Sequence, residues 1–129
     1  MREFILNSDN FSDLESFYHE VDKLFTKDLS WKTGHNFDAL NDILRGGFGV
    51  HEYEESIKIR WKNSLKSSND LGYEETVAYL SEKFKRCHQS NKAKVQLDIE
   101  NAKKSKGETL FNCIISIIND HKHIELILE

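Results

Sequence analysis

The chain has few of the residues that staple or interrupt a fold: among 129 residues there is no proline, and there are two cysteines, one methionine and six glycines. With no proline, no helical run is broken by a missing backbone donor. Cys87 and Cys113 sit in separate amphipathic stretches and read as core positions, the buried thiols of a reducing cytoplasm. Long apolar runs are lacking too. Phe4-Ile5-Leu6 is too short for a signal peptide, and no stretch approaches the length of a membrane span. An excess of positive charge is also missing: 18 Lys and Arg against 22 Asp and Glu leave −4. That argues against a nucleic-acid backbone as the main ligand and permits an acidic face aimed at a basic partner. What remains is an ordinary globular composition, 38% hydrophobic and 31% charged, long enough for a single domain with a core of its own.

The marks of a catalyst are absent as well. Gly46-Gly47-Phe48-Gly49 follows a helical pattern instead of a strand and lacks the lysine and hydroxyl of a phosphate-binding loop. No Ser/His/Asp arrangement stands out. His121 and His123, with Cys113 or Asp120 nearby, lack the second defined pair that metal-ligand spacing requires. Neither an enzyme, a cofactor nor a metal centre is expected.

Taken in order, Phe4-Ile5-Leu6 suits a strand buried on both faces, closed by Asn7-Ser8-Asp9-Asn10. Ser12-Asp13-Leu14-Glu15 has the form of a capping box, and Leu14, Phe17, Val21, Leu24 and Phe25 behind it predict a helix over 13–26. Ile57-Lys58-Ile59-Arg60-Trp61 alternates strictly and predicts a strand with Ile57, Ile59 and Trp61 inward. Residues 62–72 read as a polar linker. Tyr73, Val77, Leu80, Phe84 and Cys87 predict a long helix, and the lysine-rich 90–106 segment reads as another. Leu110, Ile114, Ile117 and Ile118, flanked by Phe111, Cys113 and Ile115, predict a helix apolar nearly all round and therefore buried. Ile124–Leu128 is a last strand. Strands separated by helices imply crossover connections, so the expected fold is α/β: a three-stranded parallel sheet packed with helices.

The most informative stretch is Gly34-His35-Asn36-Phe37-Asp38-Ala39-Leu40-Asn41-Asp42-Ile43-Leu44-Arg45-Gly46-Gly47. At helical spacing Phe37, Ala39, Leu40, Ile43 and Leu44 share one side, while Asp38, Asn41, Asp42 and Arg45 share the other. Asn36 is the natural N-cap. Gly34 and Gly46 read as backbone devices at the helix ends, allowing close approach to a partner. Asp38 and Asp42 stand one turn apart, where like charges repel by a few tenths of a kcal/mol. They are either a solvated face with Arg45 as internal counter-ion or a compact acidic binding surface. Trp31 has two readings, an interface anchor or a ring packed under the loop. His35 either donates to a partner or is solvated. Glu52 and Glu54 either solubilise or extend the acidic side.

The motif Gly34-x-Asn36-Phe37-Asp38-Ala39-Leu40-x-Asp42, with Gly46, the strand ending in Trp61 and the Ile-rich helix running into a terminal strand, resembles the barstar family of intracellular ribonuclease inhibitors. The resemblance runs over 2–63 and 107–129; residues 64–106 look like a helical insertion within one domain spanning 1–129. It implies a cytoplasmic, bacterial-type immunity or antitoxin protein, monomeric when free, whose partner is an extracellular-type ribonuclease or related toxin. It implies that Asp38 and Asp42 are the two inhibitory aspartates, mimicking substrate phosphates in the enzyme's basic cleft. The rim differs from the best-known member of the family. Lys32, next to Trp31, stands in place of a tyrosine, Asn41 in place of a tryptophan, and Ser116 in place of a glutamate. The insertion reads either as cover for a sheet edge or core rim, or as extra contact with the target. An interaction module of the same fold with a target other than a ribonuclease is the alternative.

Overall fold

The computed structural model describes residues 1–26, 34–47 and 50–129; Trp31, Lys32, Phe48 and Gly49 lie outside the described residues. Strands β1 (Arg2–Asn7), β2 (Ile57–Lys62) and β3 (Ile124–Leu128) form one parallel sheet in the order β1-β2-β3. Helices α1 (Leu14–Phe25), α2 (Phe37–Arg45), α3 (Ser64–Asp70), α4 (Tyr73–Arg86), α5 (Lys92–Lys103) and α6 (Leu110–Asn119) complete the α/β fold.

The alternation in β2 places Ile57, Ile59 and Trp61 in the core, each 2% exposed or less. Leu6 of β1 opposite Trp61, with Phe17, Val21, Leu40, Leu44, Ile114 and Ile118 from the helices, closes the core over that face. The other face is not covered by helices of this core. There Lys58 pairs with Glu125 at 3.7 Å, and Arg60 pairs with Glu3 at 2.5 Å and Glu129 at 3.2 Å. A strand buried on both faces was expected for residues 4–6. Instead β1 is an edge strand whose Ile5 looks outward beside this charged ladder.

Four further expectations are corrected. The cap of α1 lies one residue later than the Ser12/Glu15 frame: Asp13 accepts from the Ser16 amide at 2.8 Å, and Ser16 Oγ accepts from the Asp13 amide at 3.1 Å. The 62–72 linker contains α3, which is held by tertiary contacts in the absence of an apolar stripe. Trp61 Nε1 donates to the Ser8 and Ser67 hydroxyls, each at 3.0 Å, and Lys66 Nζ donates to the Ser8 and Phe11 carbonyls at 3.0 and 2.7 Å. Helix α6 buries only the Leu110, Ile114 and Ile118 side, leaving Asn112, Ser116 and Asn119 exposed. Cys87 and Cys113 are half-buried free thiols: Cys87 is the extended residue that ends α4, and Cys113 lies beside the buried side of α6.

Helix formation in 92–103 follows the expectation for the lysine-rich stretch. Val95, Ile99 and Ala102 of α5 are buried, but they pack outside the central core cluster, as one side of an α4–α5 hairpin.

Candidate functional site

Helix α2 is short, and its position is set by its ends. At the N-terminus Asn36 is extended, and its side chain accepts from the Ala39 amide at 2.7 Å, satisfying one of the free donors of the first turn. A Cβ on Gly34 would stand 3.0 Å from the amide nitrogen of that capping side chain, so glycine keeps the cap unobstructed.

The C-terminal carbonyls are satisfied one after another. The Gly46 amide donates to Asp42 at 3.3 Å, and the Glu54 amide donates to Arg45 at 2.7 Å. The Leu44 carbonyl accepts from two imidazoles, His51 Nε2 at 3.1 Å and His123 Nε2 at 2.9 Å. Gly46 leaves the helix at φ 88°, where a Cβ would meet the Glu52 carbonyl at 2.4 Å and the His51 ring at 2.8 Å. The close approach that glycine permits here is internal: Gly46 is buried against 51–52.

Between these ends Leu40, Ile43 and Leu44 are buried and Asp38 and Asp42 are exposed. Asp42 has Arg45 as its counter-ion, Nη1 to Oδ1 3.5 Å. Asp38 makes no hydrogen bond or ion pair among the described residues; the phenol of Tyr79 on α4 lies within reach of its charge. Burial first, then the charges of Cys113 and Asp38, hold that phenol above its ordinary range. Tyr79 also packs on Phe37 with ring centroids 5.7 Å apart, so α4 forms a wall beside the acidic face. Asn41 is not free to reach outward unaided, since its Oδ1 accepts from His121 Nε2 at 2.6 Å. Ser116 is exposed on α6, which packs against α2. Glu52 and Glu54 are exposed beyond the helix end.

His35, one residue before the cap, is neither solvated nor aimed outward. Its Nδ1 lies 2.5 Å from Glu15 Oε1 and its Nε2 2.9 Å from Asp22 Oδ2. Its ring stacks on Tyr18 at 5.3 Å. Burial works against the charged ring, but the hydrogen bonds and charges of Asp22 and Glu15 outweigh it and raise the pKa above the usual 6.5. His121 goes the other way. Burial, then the neighbouring charges of His123 and Arg45, lower it below 6.5.

The arrangement is thus a rigidly held helix presenting two exposed carboxylates a turn apart, with an arginine at one end. Carboxylates so placed can accept bidentate hydrogen bonds from arginine. Residues 1–100 match the family model described as Barstar (barnase inhibitor). The chain belongs to the barstar family. No curated protein matches it. The barstar match takes in β1, α1, α2 and β2 and continues through α3, α4 and most of α5, ending before α6 and β3. It therefore contains every residue of the α2 face and stops short of Ser116, His121 and His123. The family's description is that of an inhibitor. Among the described residues no helix is long and apolar enough to cross a membrane.

Sequence reasoning passed over Tyr79, His51 and the roles of His121 and His123 around α2. The signal available was histidine count: three of the six histidines contact the helix or its side chains from downstream segments.

Proposed function

We propose that this protein is a stoichiometric, immunity-type inhibitor of a small barnase-like ribonuclease. It blocks the enzyme's basic active site from a cytoplasmic monomer by inserting α2. Asp38 and Asp42 stand in for substrate phosphates; Arg45, Asn41 and His35 shape the surface around them, with Gly34 and Gly46 setting the helix ends and Trp31 and Lys32 on the preceding segment. The observation that carries the reading is the pair of exposed carboxylates on a helix tied at both ends. A preorganised helix lowers the ordering cost of binding, and net negative charge speeds encounter with a basic enzyme. Residues 1–129 act as one domain, in which the stretch from 64 to 106 is an insertion.

The test is binding to a barnase-like ribonuclease. Asp42→Ala and Asp38→Ala are each expected to weaken the complex by about 3 kcal/mol, roughly a hundredfold, because the enzyme's cation is left buried and unpaired. If both variants bind like wild type, the reading fails. A second reading, an interaction module with another target, is favoured by one feature: Asn41 is engaged with His121 and Ser116 is uncharged, so the acidic contact is narrower than the family pattern implies. Co-purification of a protein without ribonuclease activity, competing with loss at Asp38 and Asp42, would select it.

A further inference from the structure

On the side of the molecule where α1 meets the entry to α2, two histidines and a carboxylate converge. Glu15 and His19 lie one turn apart on α1, with His19 Nε2 3.6 Å from Glu15 Oε1. His35 arrives from the segment before α2 and places Nδ1 2.5 Å from the same oxygen. The ligand-capable atoms of Glu15, His19 and His35 all fall within 4.8 Å of one another, the one such group of three among the described residues. The two histidine rings meet edge to face at 4.9 Å.

We propose that Glu15, His19 and His35 bind a divalent transition-metal ion of the zinc class. The donor set is two imidazole nitrogens and a carboxylate oxygen, the borderline ligands that zinc and its neighbours prefer. The decisive feature stands behind the ligands. Asp22 Oδ2 accepts from His35 Nε2 at 2.9 Å, which fixes the tautomer and turns the Nδ1 lone pair towards Glu15 and His19. A carboxylate holding the far nitrogen of a ligating histidine is the usual outer-shell support of such sites. His35 is further held by stacking on Tyr18, with an interplanar angle of 19°. Two ligands ride on a capped helix, so their spacing is preset. Tetrahedral coordination separates ligand atoms by about 3.3 Å. The 2.5 Å Glu15–His35 contact opens to that distance by rotation of the Glu15 side chain, which is exposed. On binding, the proton between them leaves for solvent. The ion would fasten α1 to the residue next to the Asn36 cap, beside the acidic face yet separate from Asp38 and Asp42. The inference does not depend on the inhibitory reading.

The experiment is calorimetric titration of the chelator-stripped full chain with Zn2+, and with Co2+ followed by visible absorption. Expected are one saturable equivalent and a tetrahedral Co2+ band. Both should be lost or weakened by about tenfold or more in His19→Ala and Glu15→Ala, and by about 10–100-fold in Asp22→Asn. His19 and Glu15 are both exposed, so these variants keep the fold; His88→Ala, an exposed histidine outside the cluster, should bind as wild type. Absence of saturable binding, or His19→Ala binding like wild type, overturns the proposal.

Discussion

His35 and His121 both hold helix α2, one beside its N-cap and one through Asn41 at its middle, and their surroundings are opposite in sign. His35 sits between Glu15 and Asp22, with His19 nearby; it holds its proton more tightly than a free histidine. For His121, burial and then the charges of His123 and Arg45 outweigh the opposing charges of Asp120 and Glu54; it releases its proton more readily. The N-terminal grip is thus ionic, while the C-terminal grip is made of imidazoles donating to Asn41 and to the Leu44 carbonyl. One residue type thus supplies two different clamps on the element that carries the acidic face.

The strongest way to break the C-terminal grip is Gly46→Ala. A Cβ there meets backbone at 2.4 Å in a left-handed conformation, so a loss of roughly 3 kcal/mol is expected, read from urea unfolding. If Gly46→Ala unfolds at the wild-type midpoint, the C-terminal end is not tightly set. Next is His121→Ala, which leaves the Asn41 carbonyl without its donor and should cost about 1–2 kcal/mol. His35→Ala should cost less, about 0.5–1 kcal/mol, because Glu15 is largely solvated and its pairing is screened. An equal or larger loss at His35 would reverse the order of the two clamps.

The smallest effect is the most diagnostic. His121 is lowered below 6.5, so its contribution is fully present above pH 6.5 and is lost as pH falls through its folded value. His35 is raised above 6.5, so its contribution is fully present below pH 6.5 and is lost as pH rises through its folded value. In chelated buffer, His121→Ala should flatten the acid side of the stability profile and His35→Ala the alkaline side. If both variants flatten the same side, the opposition between the two clamps is wrong.

Much of this arrangement is legible in the residues themselves. The 3.6-residue spacing of Leu40, Ile43 and Leu44 with Asn36 in front yields α2 and the outward placement of Asp38 and Asp42. The alternation of Ile57, Ile59 and Trp61 yields β2. Helix α3 is not legible that way. Ser64–Asp70 carries no apolar stripe, and its stability comes from Ser67 under Trp61 and Lys66 over the Ser8 and Phe11 carbonyls. The α1 cap is not legible to the residue, because Ser12/Glu15 and Asp13/Ser16 are overlapping frames that both fit a cap, and only backbone geometry chooses between them.

The sequence by itself determined the α/β order, the amphipathic face of α2 and the two aspartates on it, since each follows from periodicity within a few residues. Tertiary structure alone decided what holds that helix. His121 meets Asn41 and His123 meets Leu44 across 80 and 79 residues, and His35 meets Glu15 and Asp22 across 20 and 13. Local spacing encodes which side a residue faces; which donor meets which acceptor depends on segments that only packing of the core brings together.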